Sequence, residues 1–321
     1  MCDIGSMGDA TTKRRGLGFA ACLMASALWG CGFFFGKIAL EEMNVGAMVF
    51  YRFGFAVLVL LPLLITHRPG LDRREWGVLL MASLLGVPLQ FLLQFYGLSL
   101  TTVSHASLMV GTMPVILAVG AAIFAHERMD GTGWLALAGS TGGAALIALS
   151  AGGGAHGGKG EPTLQGDLLV VASLLIALGW ILLNKQLMEG HSAATVTAYG
   201  TLLGTLMLLV WVPVRYGMPP VPFLSGHVSV KAWLALAASG VLCTATTTLL
   251  WNWGMTQVPA SQAGILLNME PLMGSILGVF VMGDLLGPSA WIGGGLILLS
   301  AITLTTGSTT EVKEREQLPI T

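Results

Sequence analysis

Long apolar runs separated by short turn signals fill most of this chain, and their lengths predict membrane-crossing helices. A helix must supply roughly 20 mainly apolar residues to cross the hydrocarbon layer, where only its own backbone bonds can satisfy its N–H and C=O groups. Ten runs meet that length, at about 17–38, 45–66, 76–97, 103–125, 131–150, 166–187, 194–214, 231–253, 259–282 and 287–306. The connections are short and rich in Gly and Pro, as at His67-Arg68-Pro69-Gly70, Gly152 to Pro162, and Pro219-Pro220-Val221-Pro222. None is long enough to form a soluble domain.

Composition removes the soluble alternatives. Hydrophobic residues make up 54% of the 321 and charged residues 10%, where a soluble domain carries about 25% charged. Of the 31 charged side chains, 10 lie in the first 16 residues or after Thr306. The 21 that remain cannot solvate the 290 residues between. A soluble enzyme, a nucleic-acid binder and a secreted disulfide scaffold are all disfavoured. The net charge of −1 points to no particular partner. Cys2 lies in the tail, and Cys22, Cys31 and Cys243 sit in apolar runs without metal-ligand or disulfide spacing.

Lys13-Arg14-Arg15 before an apolar run imitates a signal peptide, but the run continues past Trp29, Phe33, Phe34 and Phe35 with no small-residue cleavage site. An uncleaved first span is expected, preceded by an unstructured stretch at 1–12. With the N-terminus inside, basic residues divide 10 inside to 4 outside, a bias carried by the first half. The expected location is therefore the plasma membrane (a bacterial inner membrane), with the 1–16 and 307–321 tails both cytoplasmic.

The two halves repeat. At a constant offset of 157, Gly97 falls on Gly254, Ser104 on Ser261, Ala106 on Ala263, Pro114 on Pro271 and Trp134 on Trp291, with Glu127 on Asp284. A looser offset of 148 pairs Lys37 with Lys185. Five is odd, so a repeated five-span unit enters the membrane the other way round the second time. The expected fold is an all-α membrane protein of ten transmembrane helices, arranged as inverted five-helix repeats at 17–150 and 166–306 around a 151–165 linker. Such a pair encloses a mid-depth interface that can open to either face, which is the architecture of alternating access.

The stretches Ala27-Leu28-Trp29-Gly30 through Lys37, Arg52, Thr101 to Arg128, Val258-Pro259-Ala260-Ser261-Gln262-Ala263 and Asn268-Met269-Glu270-Pro271 to Gly283-Asp284 resemble the drug/metabolite transporter superfamily, in its EamA-type ten-span form. The resemblance covers about 17–306. It implies export or exchange of small metabolites such as amino acids, through a cavity lined mainly by spans 1, 3, 4, 6, 8 and 9. One departure is Asp284, where that family usually has Glu.

Ionisable groups at mid-membrane are costly and mark candidate sites. Glu270, near the centre of span 9 and directly before Pro271, is expected to meet a cationic group of the substrate or to carry a coupling proton; a structural carboxylate is the competing account. Arg52 suits an anion, or a structural role toward backbone carbonyls or Glu41/Glu42. Gln90 and Gln94 share a face of span 3 at i,i+4, joined in the expected lining by Tyr96, and span 8 answers with Trp251 and Asn252. Trp29 enters through the family resemblance. His105 in span 4 and Asn268 in span 9 complete the expected substrate contacts. His105 could also shuttle protons or serve as a capping or interfacial histidine. Asn268 and Glu270, about 200° apart on an ideal helix, share a cavity only where Pro271 distorts it. Gly139, Gly143 and Gly293-Gly294-Gly295 permit close packing, within the chain or in a homodimer.

No metal cluster, nucleotide loop or nucleophile motif is present, so no cofactor, metal or catalytic residue is expected. The expected function is a secondary transporter moving a small molecule across the lipid bilayer. Its rivals are an intramembrane lipid-modifying enzyme, which needs paired catalytic groups at one depth, and a non-transporting scaffold or receptor, which needs no repeated polar lining.

Overall fold

A computed structural model describes residues 4–67, 69–124, 131–152, 161–216, 228–258 and 266–317. Among them every regular element is a helix. Six helices are long and apolar enough to cross a membrane. Four shorter apolar ones lie at Val103–Leu117, Trp134–Ile147, Met269–Met282 and Pro288–Ser300. Positions 153–160 of the expected linker, Pro219 to Pro222, Glu127, Arg128 and Ser261 to Ala263 lie outside the described residues.

In chain order the helices are α1 (Ile4–Leu40), α2 (Val45–Thr66), α3 (Arg73–Ser99), α4 (Val103–Val110), α5 (Met113–Phe124), α6 (Gly131–Gly152), α7 (Leu164–Met188), α8 (Ala193–Tyr216), α9 (Val230–Met255), α10 (Met269–Met282) and α11 (Pro288–Gln317). The expectation of an unstructured 1–12 is corrected, because α1 is already helical at Ile4. α11 likewise runs past Thr306 into the charged tail. The first tail contains no Pro to stop a helix joined to the apolar run, and α11 ends at Gln317, shortly before Pro319.

Short-range chemistry fixes the ends. Asn44 caps α2 by accepting from the Ala47 N–H at 2.8 Å. Asp72 and Glu75 form a reciprocal capping box at α3, each carboxylate accepting from the other's N–H at 2.8 Å. Glu75 also meets His191 at 3.0 Å. The Asp72 N–H first, and His191 after it, hold the Glu75 carboxyl below its ordinary range. A depressed carboxylate contributes above its unfolded range and loses that contribution as the pH falls through its folded value. Amide exchange of the first α3 turn, corrected for intrinsic rates, should therefore rise on acidification, and Glu75→Gln should show the higher exchange at neutral pH.

The repeat seen in the sequence reappears as matched irregularities. α3 widens into a π-helical turn at Leu85–Leu89, and α9 does so at Val241–Thr246, the same place at the offset of 157. A break at Gly111-Thr112 separates α4 from α5, and a break at Leu267-Asn268 precedes α10, in register to within one residue. Pro114 and Pro271 each stand in the first turn after the break, where a missing N–H costs little.

Helix contacts repeat as well. A Cβ on Gly97 would strike the Gly166 carbonyl and Val170 of α7, and one on Gly254 would strike the Gly18 carbonyl and Cys22 of α1. Gly166 and Val170 match Gly18 and Cys22 at the offset of 148. α6 crosses α11 with Gly143 against Gly293 and Ile297, and Gly293 against Gly143 and Ile147. These small residues thus serve packing inside the chain. Trp134 and Trp291, paired by the repeat, are 61% and 59% exposed and occupy equivalent outward positions. Around them the outer faces carry Leu, Ile, Val and Phe, among them Val214, Phe280 and Leu285. Exposed apolar surface on this scale is solvated by lipid, and the chain is a multi-pass membrane protein.

Candidate functional site

The site builds outward from Arg52, which is 2% exposed. Its Nε donates to Thr244 Oγ1 at 2.7 Å and its Nη2 to the Cys243 carbonyl at 3.0 Å. Both acceptors belong to the π-helical turn of α9, the kind of widened turn that recurs at functional sites. The guanidinium carbon also lies 4.9 Å and 5.0 Å from the ring centres of Phe91 and Phe95, within cation–π range. Gly32 and Gly36 let α1 close over this arrangement, since side chains there would press on the guanidinium and on the Phe95 ring. Among the described residues no carboxylate reaches Arg52 at ion-pair distance.

The guanidinium opens on a cavity lined by residues of both halves. Glu270 lines it too. α1 approaches α10 backbone to backbone at Gly30, where a Cβ would fall on the Glu270 carbonyl. Trp29, next to Gly30 in the chain, lines the same cavity. Trp29 and Trp251 form an aromatic pair with ring centres 5.3 Å apart. Gln90 and Gln94 face the same space, and the buried Gln90 Oε1 has no protein donor. A wall of this kind offers an anion anchor, an acid, free amide groups and flat apolar surfaces at once.

Of the residues expected from sequence, the structure brings Trp29, Gln90, Gln94, Trp251 and Glu270 together and places four elsewhere. Tyr96 is 48% exposed on the outer surface. It follows Gln94 by two residues, about 200° around a helix, so the two cannot share a face. Asn252 is buried behind the wall, where its Nδ2 donates to Thr197 Oγ1 at 2.7 Å and fixes a threonine that does line the cavity. Asn268 stands at the break before α10, off the lining, so its expected meeting with Glu270 in one cavity does not occur. His105 pairs with Asp167, also off the cavity.

The lining also exceeds spans 1, 3, 4, 6, 8 and 9. Arg52 and Phe53 bring in α2, and Val196, Thr197, Gly200 and Thr201 bring in α8. Asn184 of α7 and Ser83 of α3 were missed as well. The α8 contribution carries a sequence signal, because Thr197, Gly200, Thr201, Gly204 and Thr205 form one stripe of small and polar residues at helical spacing. Lys37 and Lys185 do not line the cavity, and Lys37 holds the Leu98 and Thr101 carbonyls instead.

Comparison with known proteins adds a family. The EamA-like transporter family matches residues 16–149 and again 164–306. An uncharacterized transporter of Archaeoglobus fulgidus is 25% identical over 285 residues, covering 87% of this chain and 93% of that protein. The uncharacterized transporter YetK of Bacillus subtilis is 24% identical, covering 86% and 83%. A biotin transporter of Escherichia coli K12 is 24% identical over 294 residues, covering 88% and 91%. A protein of known crystal structure superposes with a TM-score of 0.60 at 19% identity, covering 91% of this chain and 98% of its own, which shows a shared fold.

Proposed function

The chain belongs to the EamA-like transporter family, and from that premise we propose that it is a secondary carrier which exports or exchanges a small metabolite by alternating access. The observation that carries the reading is the cavity itself: Arg52 and Glu270 line one space, among aromatic rings and amide groups. The substrate is a small molecule bearing a carboxylate for Arg52 and a cationic or hydrogen-bonding group for Glu270, with amino acids first among candidates. Trp29 and Trp251 supply the flat walls for its apolar part. Glu270 is the residue that reads the substrate's cation or carries the coupling proton.

In this reading the four shorter apolar helices also cross, which makes ten spans in two inverted repeats of five. Matched π-helical turns, matched breaks and reciprocal Gly97·Gly166 and Gly254·Gly18 contacts support the two-fold relation. A repeat-related pair can exchange roles when the molecule turns from one face to the other.

Counterflow in proteoliposomes tests this directly. Vesicles preloaded with unlabelled amino acids should accumulate labelled amino acid transiently, with no imposed gradient of any ion. Biotin is the second probe, chosen for the Escherichia coli relative. Protein-dependent counterflow with either probe supports the carrier. Tight binding without counterflow of any bound compound would turn the reading toward a receptor, and chemical conversion of added lipid toward an intramembrane enzyme.

A further inference from the structure

A second group of titratable side chains lies away from the cavity, with His105 and Asp167 buried and Lys37 and Asp284 half-buried. His105 Nδ1 lies 3.0 Å from Asp167 Oδ2, and the two residues are 3% and 0% exposed. Asp167 Oδ1 accepts from Thr101 Oγ1 at 2.6 Å. The Thr101 and Leu98 carbonyls accept from Lys37 Nζ. Asp284 accepts the Ser104 N–H at 2.8 Å, one residue before His105. Lys37 also feels the charges of Asp284 and of the exposed Glu41.

This group ties the halves together at one end of the molecule. His105, Thr101, Ser104 and Lys37 come from the first half, and Asp167 and Asp284 from the second. Beside it Thr163 donates twice to the Leu100 carbonyl, and Ser229 donates twice to Glu42. Those Ser229 bonds hold the Glu42 carboxyl below its ordinary range, so that tie persists at neutral pH. Asp167 opens α7, whereas α7 lines the cavity from Leu174 to Asn184, about 10 to 25 Å further along the helix. The structure is therefore closed at the Asp167 end, with the cavity lying toward the other.

Charge balance gives the closed end a chemical meaning. Asp167 is fully buried, whereas Lys37 and Asp284 are half-buried and the Lys37 ammonium is held by the Leu98 and Thr101 carbonyls. His105 is the group in place to balance the Asp167 charge. Glu270 on α10 is the remaining acid on a helix packed against α4, and it lines the cavity. The stretches of α6 and α11 packed there carry no ionisable residue. A buried unbalanced charge is strongly unfavourable, so closure draws a proton onto His105, and opening hydrates the group and releases it.

Building on the carrier reading above, we propose that the His105–Asp167 pair is a proton-binding site linked to closure of this end, separate from the substrate cavity. Linkage fixes the sign: the state that holds the extra proton gains population as the pH falls. Acid closes this end and alkali opens it.

The test follows opening itself, in nanodiscs without substrate. Spin labels at Ser99→Cys and Ser289→Cys, both exposed at this end on opposite halves, report their separation in protein whose native cysteines are replaced by Ala. Raising the pH from about 5.5 to about 8 should increase the longer-distance population severalfold. His105→Gln and Asp167→Asn should each abolish that response. A distance distribution independent of pH overturns the proposal, as does an unchanged pH response in both variants. If neither variant folds, imidazole nitrogen shifts of His105 in the unmodified protein decide, and a neutral ring in the acid-closed population overturns it. Because no transported compound is used, failure here leaves the carrier reading standing. Absent counterflow beside an intact pH response would strike that reading alone.

Discussion

Glu270→Gln is expected to lower counterflow by about thirtyfold or more while leaving the protein folded. Glu270 lines a cavity mostly walled by aromatic and aliphatic side chains, with Arg52 as the other charged group on the described wall. Removing one partner of a desolvated charged contact costs about 2–5 kcal/mol. Each 1.4 kcal/mol is roughly tenfold in affinity, so the loss falls between about thirtyfold and three-thousandfold. Glutamine keeps the shape and a hydrogen-bonding capacity, which makes unfolding a poor explanation for the loss. Initial counterflow rates and substrate binding, each followed across pH, separate the two roles given to this carboxyl. Weakened binding with an unchanged pH profile rejects the proton role and keeps the cation role, whereas a flattened profile does the reverse. Counterflow within threefold of the unmodified protein would return Glu270 to a structural carboxylate. Arg52→Gln should lose transport in parallel, since the guanidinium is held at Thr244, Cys243, Phe91 and Phe95 and, among the described residues, no other cation lines the cavity.

Gly97→Ala and Gly254→Ala should each lower thermal stability in detergent, by similar amounts, although Ala is the better helix former by about 1 kcal/mol. At Gly97 the new methyl meets the Gly166 carbonyl and Val170, and at Gly254 it meets the Gly18 carbonyl and Cys22. Backbone atoms in a crossing cannot step aside as a flexible side chain can, and overpacking of this kind costs about 1–3 kcal/mol. Gly142→Ala and Gly295→Ala are the internal controls, because nothing lies within 4 Å of a Cβ at either position. There only the propensity gain operates, so stability should hold or rise. Equal melting temperatures for all four variants would mean that the crossings do not govern stability. A deficit at Gly97 without one at Gly254 would break the equivalence of the halves.

Helix positions and their recurrence in two halves are readable from the residues alone. Crossing length and hydropathy are local properties, and a run such as 45–66 announces α2 without reference to any neighbour. The offset of 157 was likewise legible, and with hindsight it also locates the paired π-helical turns and breaks, because equivalent residues bend equivalent helices. Glu270, Gln90, Gln94, Trp29 and Trp251 were visible as polar or aromatic groups in apolar runs. Their assembly was not, since each residue turns a side chain by about 100° and the aim of a helix depends on what it packs against. Tyr96 failed on that rotation and Asn252 on a neighbour, Thr197, that stands 55 positions away. Asp167 was unremarkable at the start of a run until folding placed His105, 62 positions back, against it. Which charges meet across the halves emerges on folding, because such pairs are chosen by helix crossings, and crossings are fixed by small residues far apart in the chain.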